Sequence, residues 1–453
     1  MSKHHHISAI DTSFLLLDSA TSHQAIGLYC PLGSVPDLDI LRQQVSSVVS
    51  EHPILSSYVY RRKKSSLKIE RNKVASFDIN NHITVVNVED FDLLEAAQSH
   101  FSLGLPFTQP LWSLTIFVPP DKPANANQAG PANFSNASIA DNNLKQAAIL
   151  YMLHHSVADG LGGMNLFHSF CDATPQAKSP TGNQKRSSDK KKLLSLRSSL
   201  KQLLRESHMP ELQAGLLTGT NSAVRQISVS HFPLEPLVHA KSMLEISLND
   251  VFLGIATGGI HEVYVALKHR PPAVRALMPV NLRPLKEPLI LGNHLSAVAV
   301  SLPTQRQKIA ERLEAVRDET VRVKYNGAIG AYALFGKLTS YLPAATRLRT
   351  LQTAAKKIHF ICTNVPGPRT PNTIGGAVIL GEYGIPAILP GQGIAIAFLT
   401  YAGRLHMSVI SDPNIFPRGE KLAQALEKSA RKLCAEAGIS SEEVTPASQF
   451  RMT

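Results

Sequence analysis

Residues 147–160 read AAILYMLHHSVADG, and this stretch carries the strongest structural signal in the chain. Its seven leading apolar residues predict a buried strand, and the residues from Gly160 to Phe170 follow with a helical pattern. Gly160 is expected to let the backbone turn tightly between the two elements. Because successive side chains on a strand point to opposite sides, one histidine of the pair His154-His155 can face a cavity while the other packs away from it.

The two histidines are the candidate catalytic groups. A histidine that is neutral near pH 7 is a suitable general base toward a hydroxyl or an amine. No serine or cysteine stands in a nucleophile-elbow context, so the pattern favours direct group transfer over a covalent intermediate. An isolated histidine pair can also be structural, or can bind a metal ion with Asp159 as a third ligand. Since neighbouring side chains on a strand point apart, joint coordination is disfavoured and we predict no metal site.

The rest of the chain alternates helices with strands. Apolar residues at three- and four-residue steps after Pro36-Asp37 predict a helix, and residues 57–60 predict a short strand. Two polar stretches, 118–146 and about 172–192, have the composition of loops. The pattern indicates two α/β halves joined by a basic connector. In the second half the predicted helices lie around 249–268 and 305–322, and the predicted strands around 273–280, 294–302, 357–363, 393–401 and 404–411.

Positive charge is concentrated in one segment. The formal net charge is +12, and residues 183–206 contain eight basic residues against two acidic ones. Such an excess indicates an anionic partner: a nucleic acid, a membrane surface or an anionic small molecule. We expect no nucleic acid, because neither a recognised binding motif nor interleaved aromatic and basic residues accompany the charge. The same segment predicts an amphipathic helix that either docks on a membrane or packs its leucines against the protein body. Its stripe consists of Leu193, Leu196, Leu200, Leu203 and Leu204.

Other features bear on the cellular compartment. No stretch reaches the roughly 18 consecutive apolar residues of a spanning helix, and the N-terminus lacks the apolar core of a signal peptide. The cysteines Cys30, Cys171, Cys362 and Cys434 are widely scattered, which argues against a disulfide framework or a zinc site. These features predict a reducing, cytoplasmic location.

The ordered set of motifs resembles a known family. A histidine pair followed by three residues and Asp-Gly is similar to the signature of the acyltransferases related to chloramphenicol acetyltransferase, including peptide-synthetase condensation domains. The whole chain is similar to the bacterial wax ester synthase/diacylglycerol acyltransferase family. It departs from that family's Met-His-Val-Gly block, where residues 24–27 read QAIG, and this departure concerns substrate preference. The matching blocks are Ser8–Leu15, Pro110-Leu111-Trp112, Ser247–Val251, Met278–Pro284, Leu291-Gly292-Asn293 and Thr363–Arg369.

The resemblance implies a fold and a domain plan. The fold class is α/β (α+β), with two chloramphenicol acetyltransferase-like subdomains in a V and an active-site tunnel at their interface. The predicted N-terminal subdomain covers residues 1–175 and carries the motif. A basic connector with the amphipathic helix covers 176–225, and the C-terminal subdomain covers 226–453.

The resemblance also implies an activity. The family transfers a long-chain acyl group from acyl-CoA, a substrate rather than a cofactor, to a fatty alcohol or a diacylglycerol, which gives wax esters or triacylglycerol. By this likeness His155 takes the proton of the acceptor alcohol and passes it to the leaving thiolate, while Asp159 forms a structural salt bridge with Arg283. The expected location is the inner membrane face or the surface of lipid droplets, and the oligomeric state stays open.

Several further residues are candidates for the site. Asn249 and Asp250 have two compatible roles, in the active site or as the cap of a helix, because asparagine is a preferred N-cap residue. Trp112, the only tryptophan, has a place in the core as its alternative. Candidates for the tunnel wall are Pro110, Trp112, Asn293, Asn364, Pro366 and Gly367.

Two other functions fit the same pattern. One is an acyltransferase of this fold that acts on a smaller or polyketide-type acceptor. The other is a lipid-binding relative without turnover, and the intact motif together with Arg283 weighs against it.

Overall fold

A computed structural model of the chain describes residues 7–61, 69–73, 77–89, 92–119, 146–172, 196–212, 215–283 and 291–439. Most of the predicted loop 118–146 and of the basic stretch 172–192 lies outside these ranges, as do Lys190, Lys191, Lys192 and Leu193.

Among the described residues, the first sheet has five strands in the order β13-β1-β6-β5-β4. The apolar run at 147–153 forms its central strand, β6, and every residue of that strand is buried. Alternate side chains enter two different cores: Ile149 and Leu153 lie in one, Leu150 and Met152 in the other. A strand covered on both faces reads as a continuous apolar run, which explains this sequence. The strands are β1 (Ala25–Leu32), β4 (Ile83–Asn87), β5 (Trp112–Val118), β6 (Ala147–His154) and β13 (Tyr383–Ile385).

The second sheet, in the part of the chain that the structure describes, has six strands in the order β7-β15-β14-β10-β8-β9. Strand β10 runs parallel to both of its neighbours, β14 and β8, and the remaining pairs of this sheet are antiparallel. Two hairpins, β2-β3 and β11-β12, stand apart from both sheets. The bounds are β7 (Gln226–Pro233), β8 (Val274–Asn281), β9 (Leu295–Leu302), β10 (Phe360–Pro366), β14 (Ile394–Tyr401) and β15 (Arg404–Ser411), with the hairpins formed by β2 (Ser57–Arg61), β3 (Ile69–Lys73), β11 (Thr373–Ile374) and β12 (Ala377–Val378).

Eleven α-helices pack on these sheets within the described ranges. The helix predicted after Pro36-Asp37 is present, and the Asp37 carboxylate caps its first turn by accepting from the backbone N–H groups of Asp39 and Ile40. The helices are α1 (Ala9–Leu17), α2 (Leu38–Glu51), α3 (Leu93–Ser102), α4 (Gly160–Ser169), α5 (Leu196–Ser207), α6 (Leu234–Met243), α7 (Leu248–Ala266), α8 (Ile309–Tyr325), α9 (Ala328–Thr339), α10 (Ala344–Ala355) and α11 (Gly419–Glu436). The mixed α/β class with two sheets is therefore confirmed.

The two halves of the chain are interlocked. Strand β13, from the second half, pairs antiparallel with β1 and completes the first sheet, with Tyr29 opposite Tyr383. Ile374 and Ile379, in and after the β11-β12 hairpin, belong to the core of the first half. The first sheet is thus built from segments that are far apart in the sequence.

Helix α5 is amphipathic in the opposite sense to an ordinary surface helix. Its buried residues are the polar Ser199 and Gln202, whereas Leu196, Leu200 and Leu204 are 71%, 47% and 54% exposed. The side chain of Gln202 accepts from Asn326 and donates to Glu206, so its buried amide is satisfied. Packing against the protein body, one of the two predicted alternatives, is therefore wrong for Leu196, Leu200 and Leu204, while Leu203 is half-buried.

In the described part of the chain, no single helix has both the length and the apolar character to cross a membrane. Only α6 and α7 taken together satisfy those criteria, and they are bent by 105° at the break between them. Most residues of α7 are buried in the core of the second half.

Candidate active site

The motif begins where β6 ends, and its first histidine is a structural residue. His154 is 1% exposed. Its Nδ1 accepts from the backbone N–H of Ser156 at 3.0 Å, so the proton is on Nε2, which lies 3.2 Å from Asp18 Oδ2. That Asp18 oxygen also accepts from the backbone N–H of Gln24. These bonds tie the end of β6 to the segment before β1.

The second histidine points to the other side, as the alternation of a strand requires. Its ring stacks on Phe14 of α1, with centroids 3.8 Å apart and an angle of 9° between the planes. Its Nδ1 lies 2.9 Å from Oδ1 of Asn293. Burial lowers the pKa of His155, and the negative charge of Asp159 acts against that effect. The imidazole is therefore neutral at pH 7 and able to accept a proton, while part of the residue remains exposed.

The predicted ion pair between Asp159 and Arg283 is present and buried. Arg283 Nη1 lies 2.5 Å from Asp159 Oδ1, and the two side chains are 4% and 3% exposed. Asp159 also caps α4, since Oδ1 accepts from the backbone N–H of Gly162, and its Oδ2 accepts from the backbone N–H of His294. The carboxylate thus joins the motif to a loop of the second half.

The predicted tight turn at Gly160 is wrong. Gly160 is the first residue of α4, its φ is outside the left-handed region, and a Cβ there would meet no atom within 4 Å. The steric demand falls on Gly162 instead, where a Cβ would lie 2.3 Å from Arg283 Nη2. The glycine two positions later is what lets the guanidinium reach Asp159.

Asn249 and Asp250 lie at the start of α7, but the cap residue is Ser247. Ser247 Oγ accepts from the backbone N–H of Asp250, and the Asp250 carboxylate accepts from the backbone N–H of Ser247, a complete capping box. The second Asp250 oxygen accepts from Thr320 at 2.7 Å. Asn249 donates to the sulfur of Met278. Capping is thus confirmed for Asp250, while the expectation that asparagine caps the helix is wrong.

The candidates for the tunnel wall fall in three places. Pro110 and Trp112 are buried, and Trp112 lies in the same core as Ile149 and Leu153, where its indole N–H donates to Leu55 O and its ring stacks on His82. Their placement at a tunnel wall stays a prediction. The block still supports the motif, because Leu111 O accepts from the backbone N–H of His154 at 2.9 Å.

The late block lies at the end of β10. Asn364 and Pro366 are exposed, and Gly367 donates its N–H to Thr400 O of β14 at 2.8 Å. A Cβ at Gly367 would lie 2.5 Å from that oxygen, which explains the glycine. Asn293 is the one tunnel candidate that touches the base.

The sequence did not predict that residues of α1 contact His155 and its partner Asn293. Asp11 accepts from Asn293, and Phe14 stacks on His155. Both lie in the block Ser8–Leu15, which is one of the blocks that resemble the family. The sequence therefore marked this block, but it gave no role to Asp11 or Phe14. Gln24, in the block that departs from the family pattern, accepts the backbone N–H of His155 at 2.9 Å.

Comparison with known proteins shows the family to which the chain belongs. A model of the wax ester synthase/diacylglycerol acyltransferase catalytic domain matches residues 143–228, and a model of the C-terminal domain of the same family matches residues 291–433. Together they cover just over half of the chain. The chain belongs to the wax ester synthase/diacylglycerol acyltransferase family. It is an acyltransferase.

Relatives of this family match over nearly the whole length. A probable diacylglycerol O-acyltransferase of Mycobacterium tuberculosis is 23% identical, over 95% of this chain and 96% of that protein. The structure of the wax ester synthase/diacylglycerol acyltransferase of Marinobacter aquaeolei superposes with a TM-score of 0.66 at 16% identity, over 96% of this chain and 99% of that one.

The fold extends to condensation domains. The first condensation domain of the calcium-dependent antibiotic synthetase superposes with a TM-score of 0.62 at 15% identity, over 100% of this chain and 99% of that one. The resemblance drawn from the motifs is therefore confirmed at the level of family and fold.

Proposed function

We propose that this protein transfers a long-chain acyl group from acyl-CoA to the hydroxyl of a fatty alcohol or a diacylglycerol, with His155 as the general base. The observation that carries the proposal is the state of His155, a neutral imidazole of which one nitrogen is held by Asn293 while the residue is only partly buried. Relatives named as diacylglycerol acyltransferase and wax ester synthase support the two classes of acceptor.

The proposed step needs one proton acceptor. Asn293 occupies Nδ1, so Nε2 receives the proton of the acceptor hydroxyl as its oxygen attacks the thioester carbonyl carbon. The carbon–sulfur bond then breaks, and the imidazolium returns the proton to the departing CoA thiolate. An ester and free CoA are the products, and no group on the protein changes its oxidation state or its net protonation.

The reaction separates the two histidines by role. His154 has both ring nitrogens bonded to Ser156 and Asp18, so it holds the backbone, whereas His155 performs the proton transfer. Asp159, although it lies in the same motif, is committed to Arg283 and to two backbone N–H groups and takes no part in the proton transfer.

Replacement of the base tests the proposal. His155→Ala should lower the rate of acyl transfer from palmitoyl-CoA to hexadecanol or to diacylglycerol by on the order of a hundredfold or more. The release of CoA at saturating substrates measures it, and the melting temperature reports on the fold. His269→Ala, at an exposed histidine in the loop after α7, is the matched control and should retain full turnover. A rate in His155→Ala close to that of the control would rule out the mechanism.

We propose in addition that α5 places the enzyme on an anionic lipid surface. Its exposed leucines share the solvent face of the helix with the exposed Arg197, Lys201 and Arg205. Apolar side chains that insert between headgroups, next to cations that attract anionic lipids, are the features of an interfacial helix. Lipophilic acceptors reside in membranes and lipid droplets, so an enzyme that uses them gains from such a face.

A further inference from the structure

We infer that Asn293, held by Asp11, is a positioning residue that fixes the tautomer of His155 with the proton on Nδ1 and the lone pair on Nε2. The inference rests on the proposed function of His155. It assigns to the second half of the chain a direct part in preparing a base that the first half supplies.

The hydrogen bonds of the Asn293 amide determine which way it points. Its Nδ2 donates to Asp11 Oδ1 at 2.7 Å and to the backbone carbonyl oxygen of His155 at 2.6 Å. A carboxylate and a carbonyl accept but never donate, so the NH₂ group must face them. The amide oxygen is then the atom that lies 2.9 Å from His155 Nδ1. Since this oxygen only accepts, Nδ1 must carry the proton.

Asp11 is itself rigidly placed. It lies at the third position of α1 in a capping box with Ser8, in which its second oxygen accepts from the backbone N–H of Ser8 at 3.1 Å. Arg347 of α10 anchors the helix, because it donates to Ala9 O and to Ser13 Oγ. The same helix carries Phe14, which fixes the plane of the imidazole by stacking. Helix α1 therefore sets both the plane of the ring and the direction of the amide.

The loop that presents Asn293 is held by the motif. The N–H of Gly292 donates to Val157 O at 2.7 Å, and the N–H of His294 donates to Asp159 Oδ2 at 2.9 Å. Gly292 has a φ of +90°, a conformation that L side chains rarely adopt. Arg283 donates to Gly292 O at 3.2 Å. Besides its charge, which raises the pKa of His155, Asp159 thus supports His155 through the loop that delivers Asn293.

An amide at this position has a different effect from a carboxylate. A carboxylate in contact with an imidazole stabilises the imidazolium and raises its pKa. Here the negative charge of Asp11 is one residue removed, and a neutral amide receives the Nδ1–H. Burial, with a smaller contribution from His154, lowers the pKa of His155 and outweighs the charge of Asp159 and the hydrogen bonds of the ring to the backbone of His155 and to Asn293, all of which raise it.

An exchange of the two side chains tests this assignment. The double variant Asp11→Asn/Asn293→Asp keeps a carboxylate and an amide in contact, but it places the negatively charged carboxylate next to the Nδ1–H of His155. The acid limb of the pH profile of kcat/KM, which reports the pKa of the base in the free enzyme, should move upward by about one pH unit or more. Asn293→Ala should lower kcat by on the order of tenfold or more at unchanged KM.

A spectroscopic measurement separates this inference from the proposed reaction. In protein labelled with ¹⁵N at histidine, the His155 signals, assigned by their loss in His155→Ala, should show a protonated Nδ1 and an unprotonated Nε2 above the pKa. Asn293→Ala should increase the fraction of the Nε2-protonated tautomer, with the bond of the ring to the backbone of His155 as the contact that remains. Asn80→Ala, at an exposed asparagine whose side chain bonds Asp78, should not change it. A proton on Nε2 in the unaltered protein, or an unchanged tautomer and pH profile in the Asn293 variants, would overturn the inference. Because the spectrum needs no turnover, it holds or fails independently of the activity of His155→Ala.

Discussion

Two regions of the molecule, the loop that follows β6 and the helix α5, differ in how their polar side chains are placed. Around this loop, the ionisable groups His154 at the end of β6, Asp159 in the loop and Arg283 after β8 are buried, and each has a protein partner within 3.2 Å. In α5, polar Ser199 and Gln202 turn inward, while three leucines and the cations between them face out. The loop is specified by contacts inside the molecule, whereas the role proposed for the outer face of α5 is contact with a lipid surface.

This contrast leads to a rule for substitutions. Changes in the loop should damage the fold, because they leave buried charges or hydrogen-bonding groups unpaired. Changes on the outer face of α5 should leave the fold intact and alter only what the surface binds.

The largest effect is expected at the buried ion pair. Asp159→Ala strands the Arg283 guanidinium, and Arg283→Ala strands the carboxylate, so each should lower the free energy of unfolding by about 3–5 kcal/mol. Chemical denaturation measures the loss. Acyl transfer should fall in both variants, because the loop that carries Asn293 is released. Loss of activity in Asp159→Ala with unchanged stability would instead assign the carboxylate a direct role in the reaction.

A smaller effect is expected at the first histidine. His154→Ala leaves the backbone N–H of Ser156 without its acceptor and Asp18 without its donor, at a cost of about 1–3 kcal/mol. Turnover should fall less than in His155→Ala, because the proton acceptor is retained. Equal losses of turnover in the two variants, measured in one assay, would contradict the separate roles given to the histidines.

The smallest effect on stability is expected on α5. The substitutions Leu196→Ser, Leu200→Ser and Leu204→Ser should each change the free energy of unfolding by no more than about 0.5 kcal/mol. Sedimentation with anionic liposomes should be lost. Glutamine at Arg197, Lys201 and Arg205 should weaken binding by about 1 kcal/mol per residue at low salt and less at high salt.

Leu103→Ser supplies the control for α5, since this leucine is 80% exposed at the end of α3. It should leave liposome binding unchanged. A loss of several kcal/mol in the leucine variants would show that the stripe is covered by protein, and unchanged sedimentation would place the lipid contact elsewhere.

The sequence predicted what depends on neighbours along the chain. Runs such as 147–153 and 394–401 are apolar because sheet residues there are buried on both faces, and their strands appear within a few residues of the expected bounds. The alternation along β6 predicted that His154 and His155 point apart. The ion pair of Asp159 with Arg283 came from the resemblance rather than from spacing, since 124 residues separate the partners.

What could not be predicted depends on contacts across the fold. The bond between Asn293 and Asp11 joins residues 282 positions apart, and no periodicity marks it. The stripe on α5 was visible, but a stripe does not reveal which face meets the protein; the satisfied amide of Gln202 determines that. Gly160 and Gly162 look equivalent in sequence, and only the approach of the Arg283 guanidinium distinguishes them.

The contribution of β13, a strand of the second half, to the first sheet has a consequence for biosynthesis. A chain emerging from the ribosome completes β6 and its histidines early, yet β13, the last strand of that sheet, follows only at Tyr383–Ile385. Until then the nascent first half presents the unpaired backbone groups of β1, which can template pairing with another chain. Asn293 also arrives late, so a chain arrested between residues 160 and 290 should carry the base without the groups that orient it. Such a fragment should be inactive and prone to aggregation, and should require chaperones until translation resumes.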